Sequence, residues 1–322
     1  MILSVVICTH NPLPEHLRRV IESLRTQTAS TAIWELLLID NASREALAGA
    51  WDLSWHPHGR HIREEKVGLT VARMRGIRES RGDVVVFVDD DNVLAADFLE
   101  QTCTIAEKWS GVGVWGGSCV PEFEVEPAEE LRGYLCWMAV VDVQDVHVTT
   151  ALEGPGLRPI GAGMCVRRSI AMSWADETAA DRVRRNLGAK GDSLMGSEDE
   201  DIRISAVRGG FAMGMFPQLS LVHLIPSRRV QPDYMVRLYE DRVYSQMVLA
   251  AAHGRTPPQM DAKGLASTVW SVLSRVREPG FVRSKFRRLL TWRLKRQALR
   301  RASERFRTWC DESSHDERWR PR

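Results

Sequence analysis

The chain has 322 residues, 44% of them hydrophobic and 27% charged, and its formal net charge of +2 points to no partner by bulk charge. The length suffices for one large domain with an appendage or for two domains. Six scattered cysteines (Cys8, Cys103, Cys119, Cys136, Cys165, Cys310) contain no Cys-x-x-Cys pair, the start MILSVVIC lacks the basic flank of a signal peptide, and no apolar run reaches bilayer length, so a zinc site, a secretory leader and a membrane span are all disfavoured in favour of buried thiols in a reducing cytoplasm.

ILSVVIC reads as a buried strand stopped by THNP. PEHLRRVIESLRTQ follows with Leu17, Val20, Ile21 and Leu24 at helical spacing. WELLLID is a second buried strand, closed by the turn-like NAS. GLTVARMRGIRESRG predicts a helix ended by Gly82, DVVVFVD a third strand, and ADFLEQTCTIAEKW another amphipathic helix. Strands alternating with helices imply a doubly wound α/β half with a parallel sheet. Beyond Val112 the rhythm loosens. GVGVWGGSCV and IGAGMCVRR predict glycine-rich strands, SEDEDIRISAVRGG a helix, and LSLVHLIP a short strand. From Tyr234 the pattern is helical, interrupted by a plausible linker at HGRTPPQMDAKG.

Three polar clusters fall at predicted strand ends: Thr9–His10–Asn11, Asp40–Asn41 and Asp89–Asp90–Asp91. In open α/β sheets ligands bind outside the carboxyl ends of the strands, so the convergence predicts a site there. Three adjacent carboxylates beside five apolar residues (Val84 to Val88) are costly unless something offsets their repulsion. Extended backbone would aim Asp89 and Asp91 one way and Asp90 the other, a pair suited to Mg²⁺ or Mn²⁺. The plainer reading is that Asp91–Asn92 caps the helix starting near Ala95.

The segments SVVICTHNPLPEHLRRVIESLRTQT, ELLLIDNAS and GLTVARMRGIRESRGDVVVFVDDDN resemble, in order, the first strand and helix, the second strand and the DxD-bearing segment of family 2 inverting glycosyltransferases. The resemblance implies the GT-A (Rossmann-like) nucleotide-sugar fold with a mainly parallel sheet, followed by a helical C-terminal extension. It implies a catalytic domain over 1–230 (a nucleotide-binding half 1–115, an acceptor half 116–230) and an extension over 231–322. Thr9, His10 and Asn11 would line the nucleotide pocket, Asp40 and Asn41 would meet the base, and Lys66, Gly68 and Arg73 would approach base or phosphates. Asp89 and Asp90 would border the ribose, and Asp91, Asp89 and His223 would hold Mn²⁺ or Mg²⁺. The motif departs from the family where Val67 stands in place of an asparagine common before the glycine.

By the same resemblance the acidic helix start SEDED carries the general base, Asp199, with Glu198 binding the acceptor or orienting its neighbour; Asp201 is expected to be solvated. The same acids also suit a helix N-terminus on electrostatic grounds alone. Gly161, Ala162 and Gly163 would let backbone approach the donor sugar, and Arg228 and Arg229 would clamp its diphosphate. Trp115, Trp137 and Trp174 lie in the half expected to hold the acceptor. The implied donor is a UDP-, GDP- or dTDP-linked sugar, and the implied acceptor a hydroxyl of a glycan, glycolipid or small molecule. A sugar nucleotidyltransferase, or an inactive nucleotide-sugar or glycan-binding protein, is the alternative, although CTHNPLPEH is not a glycine-rich phosphate loop. Over 281–309 eleven Lys/Arg accompany one Glu, and apolar residues recur every four positions from Val282 to Phe306. That is the pattern of a peripheral helix on an anionic membrane face, or of one packing on its own protein. No nucleic-acid-reading module accompanies the charge.

Overall fold

The computed structural model describes residues 2–152, 156–255 and 281–313. Residues 256–280, where most of the expected linker falls, and the side chains of 281–295 lie outside the described residues.

Four strands form the parallel part of the sheet in the order β3-β2-β1-β4: β1 (Leu3–Thr9), β2 (Trp34–Asn41), β3 (Gly59–Glu64) and β4 (Val84–Asp89). Beyond β4 lies β8 (Cys165–Arg167), antiparallel to both β4 and β6 (Val112–Phe123). The long β9 (Ala212–Ile225) runs parallel to β6, while β5 (Asn92–Leu94) and β7 (His147–Thr149) pair with it antiparallel. The helices are α1 (Pro14–Arg25), α2 (Leu69–Glu79), α3 (Phe98–Lys108), α4 (Arg168–Ala180) and α5 (Glu198–Arg208).

Every residue of β1 and β2 is buried, as a sheet covered on both faces requires. Successive side chains serve opposite layers. Leu3, Val5 and Ile7 pack with Leu36 and Leu38 against Leu17, Val20 and Leu24 of α1. Val6, Leu37, Ile39, Val85 and Phe87 pack against Ala72, Met74 and Ile77 of α2, Trp174 of α4 and Ile202 of α5. Register brings Thr9 opposite Asp40 and Cys8 opposite Asp89, so the carboxyl ends of β1, β2 and β4 share one rim.

Some expectations change. The IGAGMCVRR strand shrinks to Cys165–Arg167, and Gly161 to Gly163 form a turn before it. Asn92 is a strand residue, and the residue preceding α3 is Asp97, so Asp91–Asn92 caps no helix. Trp115 and Trp174, in the half expected to hold the acceptor, are wholly buried in the core, the commoner use of tryptophan.

The chain divides into two compact units, Met1–Glu124 with Met138–Pro226, and Val125–Trp137 with Ser227–Arg322. In the second, α6 (Pro232–Ala252) buries Val243 and Met247 with Ala302 of the C-terminal helix Phe281–Ser313. Ala298 is also fully buried, and Arg305 pairs with Asp241 at 2.6 Å. Of the four-residue apolar repeat, Ala298 and Ala302 are thus buried, and Phe306 is partly buried against the same cluster. Among the described residues no helix is long and apolar enough to cross a membrane.

Candidate active site

The three rim aspartates do not align as extended backbone would place them, because β4 ends at Asp89 and the chain turns through Asp90 and Asp91. Each carboxylate takes its own partner. Asp89 meets Arg73 at 3.2 Å, Asp90 accepts the Thr9 hydroxyl, and Asp91 lies 3.5 Å from His223 and accepts Asn92 Nδ2 at 3.1 Å. The repulsion anticipated from the sequence is thus divided, Asp89 facing a cation, Asp90 a hydroxyl and Asp91 an amide, with the His223 ring alongside.

Arg73 links this rim to the second half of the unit. Its guanidinium is about 1% exposed, lies over the Phe87 ring, and reaches Glu198 at 3.1 Å as well as Asp89. Burial favours loss of its proton, but Glu198 and Asp89 outweigh that cost and hold its pKa above the ordinary arginine value. Gly161 makes room for it: a Cβ there would sit 2.7 Å from Arg73 Nη2. The glycine therefore serves a protein side chain in this structure, whatever it does for a sugar. Cys8, also buried here, has its thiol pushed up to about 12 by burial, which leaves it inert.

The acidic start of α5 holds two differently placed pairs. Asp199 is half-buried and its Oδ2 accepts the Gly161 amide at 3.0 Å, while Oδ1 accepts the Glu200 amide at 2.7 Å. Glu198 is buried on Arg73. Asp201 is not solvated as expected. It is fully buried, accepting Trp174 Nε1 at 2.7 Å and Arg184 Nε at 2.9 Å. This pair fixes α5 from beneath, and its signal was hidden because Arg184 and Trp174 sit outside the motif that drew attention to the acids.

At the β2 end Asp40 is buried and accepts the Ser43 amide at 3.0 Å, the Leu47 amide at 3.2 Å and Arg63 Nη1 at 2.7 Å. Burial raises its pKa, but Arg63 and these amides prevail and hold it below the usual aspartate value. Both oxygens are engaged in shaping the loop after β2. Arg63 was not legible as a partner, since only the β2–β3 register sets it opposite Asp40. Asn41 accepts the Gly68 amide at 2.8 Å and donates to the Lys66 carbonyl at 2.7 Å. His10 Nδ1 contacts the Asn41 carbonyl at 2.7 Å, and Asn11, in the left-handed region at φ 50°, accepts the Arg44 amide. These residues tie the loops of the rim together.

Whether the rim suits a divalent cation can be tested on its donor atoms. His223 Nδ1 lies 3.1 Å from the Met138 carbonyl, so a neutral ring donates from Nδ1 and presents the Nε2 lone pair to Asp91 Oδ2. The Asp91 carboxylate and the His223 imidazole lie 3.5 Å apart, and a carboxylate with an imidazole suits Mn²⁺ or Mg²⁺. Among the described residues no three such side chains already converge, because Asp89 is turned to Arg73. Ala162 is buried, and Gly163 adopts φ 67° against Leu221 and Phe98. Arg228 and Arg229 belong to the second unit and are not among the residues the first unit gathers.

Residues 4–128 match the model of the family described as Glycosyl transferase family 2. An N-acetylglucosaminyltransferase of Mesorhizobium japonicum is 24% identical over 235 residues, 70% of this chain and 52% of that protein. A glucosyl-dolichyl phosphate glucuronosyltransferase of Haloferax volcanii is 26% identical over 145 residues, 44% of this chain and 46% of that protein. The chain spans about half the length of these curated relatives. Among solved structures, S. aureus TarS 1-349 superposes with a TM-score of 0.51 at 15% identity, covering 94% of this chain and 81% of that one. Its complex with UDP-GlcNAc gives 0.53 at 14% identity, over 87% and 75%. At these identities the likeness establishes the fold, and the GT-A type sheet expected from the N-terminal motifs is the one observed.

Proposed function

We propose that this chain, whose residues 4–128 match the glycosyl transferase family 2 model, is a member of that family and moves a sugar from a nucleoside-diphosphate sugar to an acceptor hydroxyl with inversion at the anomeric carbon. The observation that carries this reading is the Arg73 bridge, which joins Asp89 at the sheet rim to Glu198 beside Asp199 through contacts of 3.2 and 3.1 Å. A donor seated at the rim and a base at the start of α5 then belong to one site.

In this reading Asp199 takes the proton of the acceptor hydroxyl as its oxygen attacks the anomeric carbon. The bond to the diphosphate breaks on the opposite face, and the nucleoside diphosphate leaves with the electron pair. The two amides on Asp199 fix its orientation and leave further lone pairs on each oxygen to receive the proton. Arg73 and Glu198 hold the turn at Gly161 and the start of α5 in mutual register. Thr9, Asn11 and the loop shaped by Asp40 border the nucleotide, and Ala162 and Gly163 border the sugar. Asp91 and His223 would hold Mn²⁺ or Mg²⁺, which when bound supplies Lewis-acid stabilisation of the leaving diphosphate, and Asp89 would join them only on leaving Arg73.

UDP-N-acetylglucosamine is the first donor to test, because the TarS likeness includes a complex with that compound and the Mesorhizobium relative is named for its transfer. Incubation with a panel of UDP-, GDP- and dTDP-sugars and Mn²⁺ should release nucleoside diphosphate from a UDP-sugar, and EDTA should abolish the release. Pyrophosphate formed from a nucleoside triphosphate and a sugar phosphate would instead establish a nucleotidyltransferase.

A further inference from the structure

A cleft of about 780 Å³ opens between the outer face of α2 and the segment that follows α4. Six cations line it, Lys66, Arg75, Arg78, Arg182, Arg185 and Lys190, against two acids, Glu64 and Glu79. Neither acid neutralises the set. Glu79 is shared between Arg75 at 3.1 Å and Arg60 at 3.3 Å, and Glu64 accepts a backbone amide from Lys66 at 2.9 Å. Lys66, Arg78, Arg182, Arg185 and Lys190 are all exposed. Like charges gathered on one surface repel unless an anion joins them.

Length and lining narrow the ligand. The α2 wall extends from Val71 to Glu79, on the order of 12 Å at the helical rise. A single phosphate needs two or three cations, whereas six spread over the two walls of such a cleft suit a chain with anions at intervals. Four of the six are arginines, whose planar forks match carboxylate and phosphate groups. The rest of the lining includes Val67, Val71, Met74 and Ala179, and no aromatic residue, so nucleic-acid bases would find no stacking platform.

Continuity narrows the role. The segment forming the second wall also carries the chain into the proposed base: the Leu69 amide binds the Ala189 carbonyl at 2.9 Å, and the Ser197 amide binds the Leu187 carbonyl at 3.1 Å, two residues before Asp199. We propose that this cleft holds a polyanionic stretch of the acceptor glycan, remote from the reacting hydroxyl, through Arg78, Arg182 and Arg185. The assignment to the acceptor rests on the transferase reading; the binding of an anionic chain does not.

The test is equilibrium binding to the full chain at two salt concentrations. The probes are a galacturonate hexamer, a short inorganic polyphosphate, neutral maltohexaose, a single-stranded oligonucleotide and UDP. The galacturonate hexamer, the polyphosphate or both should bind, weakening with salt, while maltohexaose should not; which of the two binds tighter separates carboxylate from phosphate as the anion. Arg78→Glu/Arg182→Glu should lower that affinity by about tenfold or more and leave UDP affinity unchanged, whereas Arg78→Lys/Arg182→Lys, which keeps the charge and loses the planar forks, should fall between the parent and the glutamate variant. The proposal is overturned by equal binding of maltohexaose, by the glutamate variant binding both polyanions as the parent does, by tighter binding of the oligonucleotide than of either, or by joint loss of UDP binding in a variant with an unchanged melting temperature. Failure of every UDP-, GDP- and dTDP-sugar to turn over, with polyanion binding intact, would remove the transferase reading and leave the cleft.

Discussion

Arg73 carries the charge balance of the site. It is the buried cation between two carboxylates, one on the rim and one on the helix of the proposed base. Replacing it by methionine keeps much of the volume and leaves Glu198 buried without its cation. The cost should be about 3 to 5 kcal/mol in a denaturant titration. Asp199 differs in kind, because its two amide contacts orient it without neutralising it. Asp199→Asn is nearly isosteric and should leave stability within about 1 kcal/mol while turnover falls by roughly 10² to 10⁴-fold. The acids of this stretch were legible as a group from SEDED. Their separate fates were not, since sequence does not reveal that Asp201 meets Arg184 and Trp174 in the core while Asp199 meets a glycine amide.

At the scale of elements, the turn Gly161–Gly163 shows how a small residue places a large one. A methyl at Gly161 would lie 2.7 and 3.0 Å from the two Nη atoms of Arg73. A guanidinium at the end of a free side chain could swing away, but this one is clamped by two ion pairs and the Phe87 ring. Gly161→Ala should therefore destabilise the fold by about 1 to 3 kcal/mol and weaken UDP binding together with turnover. At α5, Asp201→Ala should cost about 3 kcal/mol, because it strips the buried Arg184 of its main partner. Strands β1, β2 and β4 and helices α1, α2 and α3 were legible because continuous apolar runs and helical periodicity reflect burial on two faces and on one. The polar β3, GRHIRE, was not, since it owes its strand state to its neighbour β2 and not to its own pattern, and β8 was legible only as a longer strand than the three residues it keeps.

At the scale of the whole molecule, stability should depend on pH through a histidine far from the proposed chemistry. His56 is about 3% exposed, packs edge-on against Trp34 at 4.1 Å, and its Nδ1 accepts the His58 amide. Burial, with the His58 charge adding to it, lowers its pKa to about 4. A base whose folded pKa is depressed adds stability in full above its unfolded value, near 6.5, and loses it as pH falls toward 4. Unfolding titrations should show a loss of roughly 3 kcal/mol across that window. His56→Phe should remove most of it. Asp40 acts in the same direction lower down: its depressed pKa adds stability above about pH 4 that disappears as pH drops through the folded value. The family resemblance anticipated the sheet, and the alternation of strand and helix anticipated that the carboxyl ends of β1, β2 and β4 share one rim. The cationic cleft beside α2 was invisible, because its six cations come from two stretches about a hundred residues apart that only folding brings together.

The central claim is that one site both seats the nucleotide and presents Asp199 to the acceptor. Its most direct test is UDP affinity and UDP-sugar turnover measured side by side for the parent chain and Asp199→Asn, with Mn²⁺ present. Unchanged affinity with turnover reduced by roughly 10² or more is the expected result. Near-normal turnover in the variant would contradict the account.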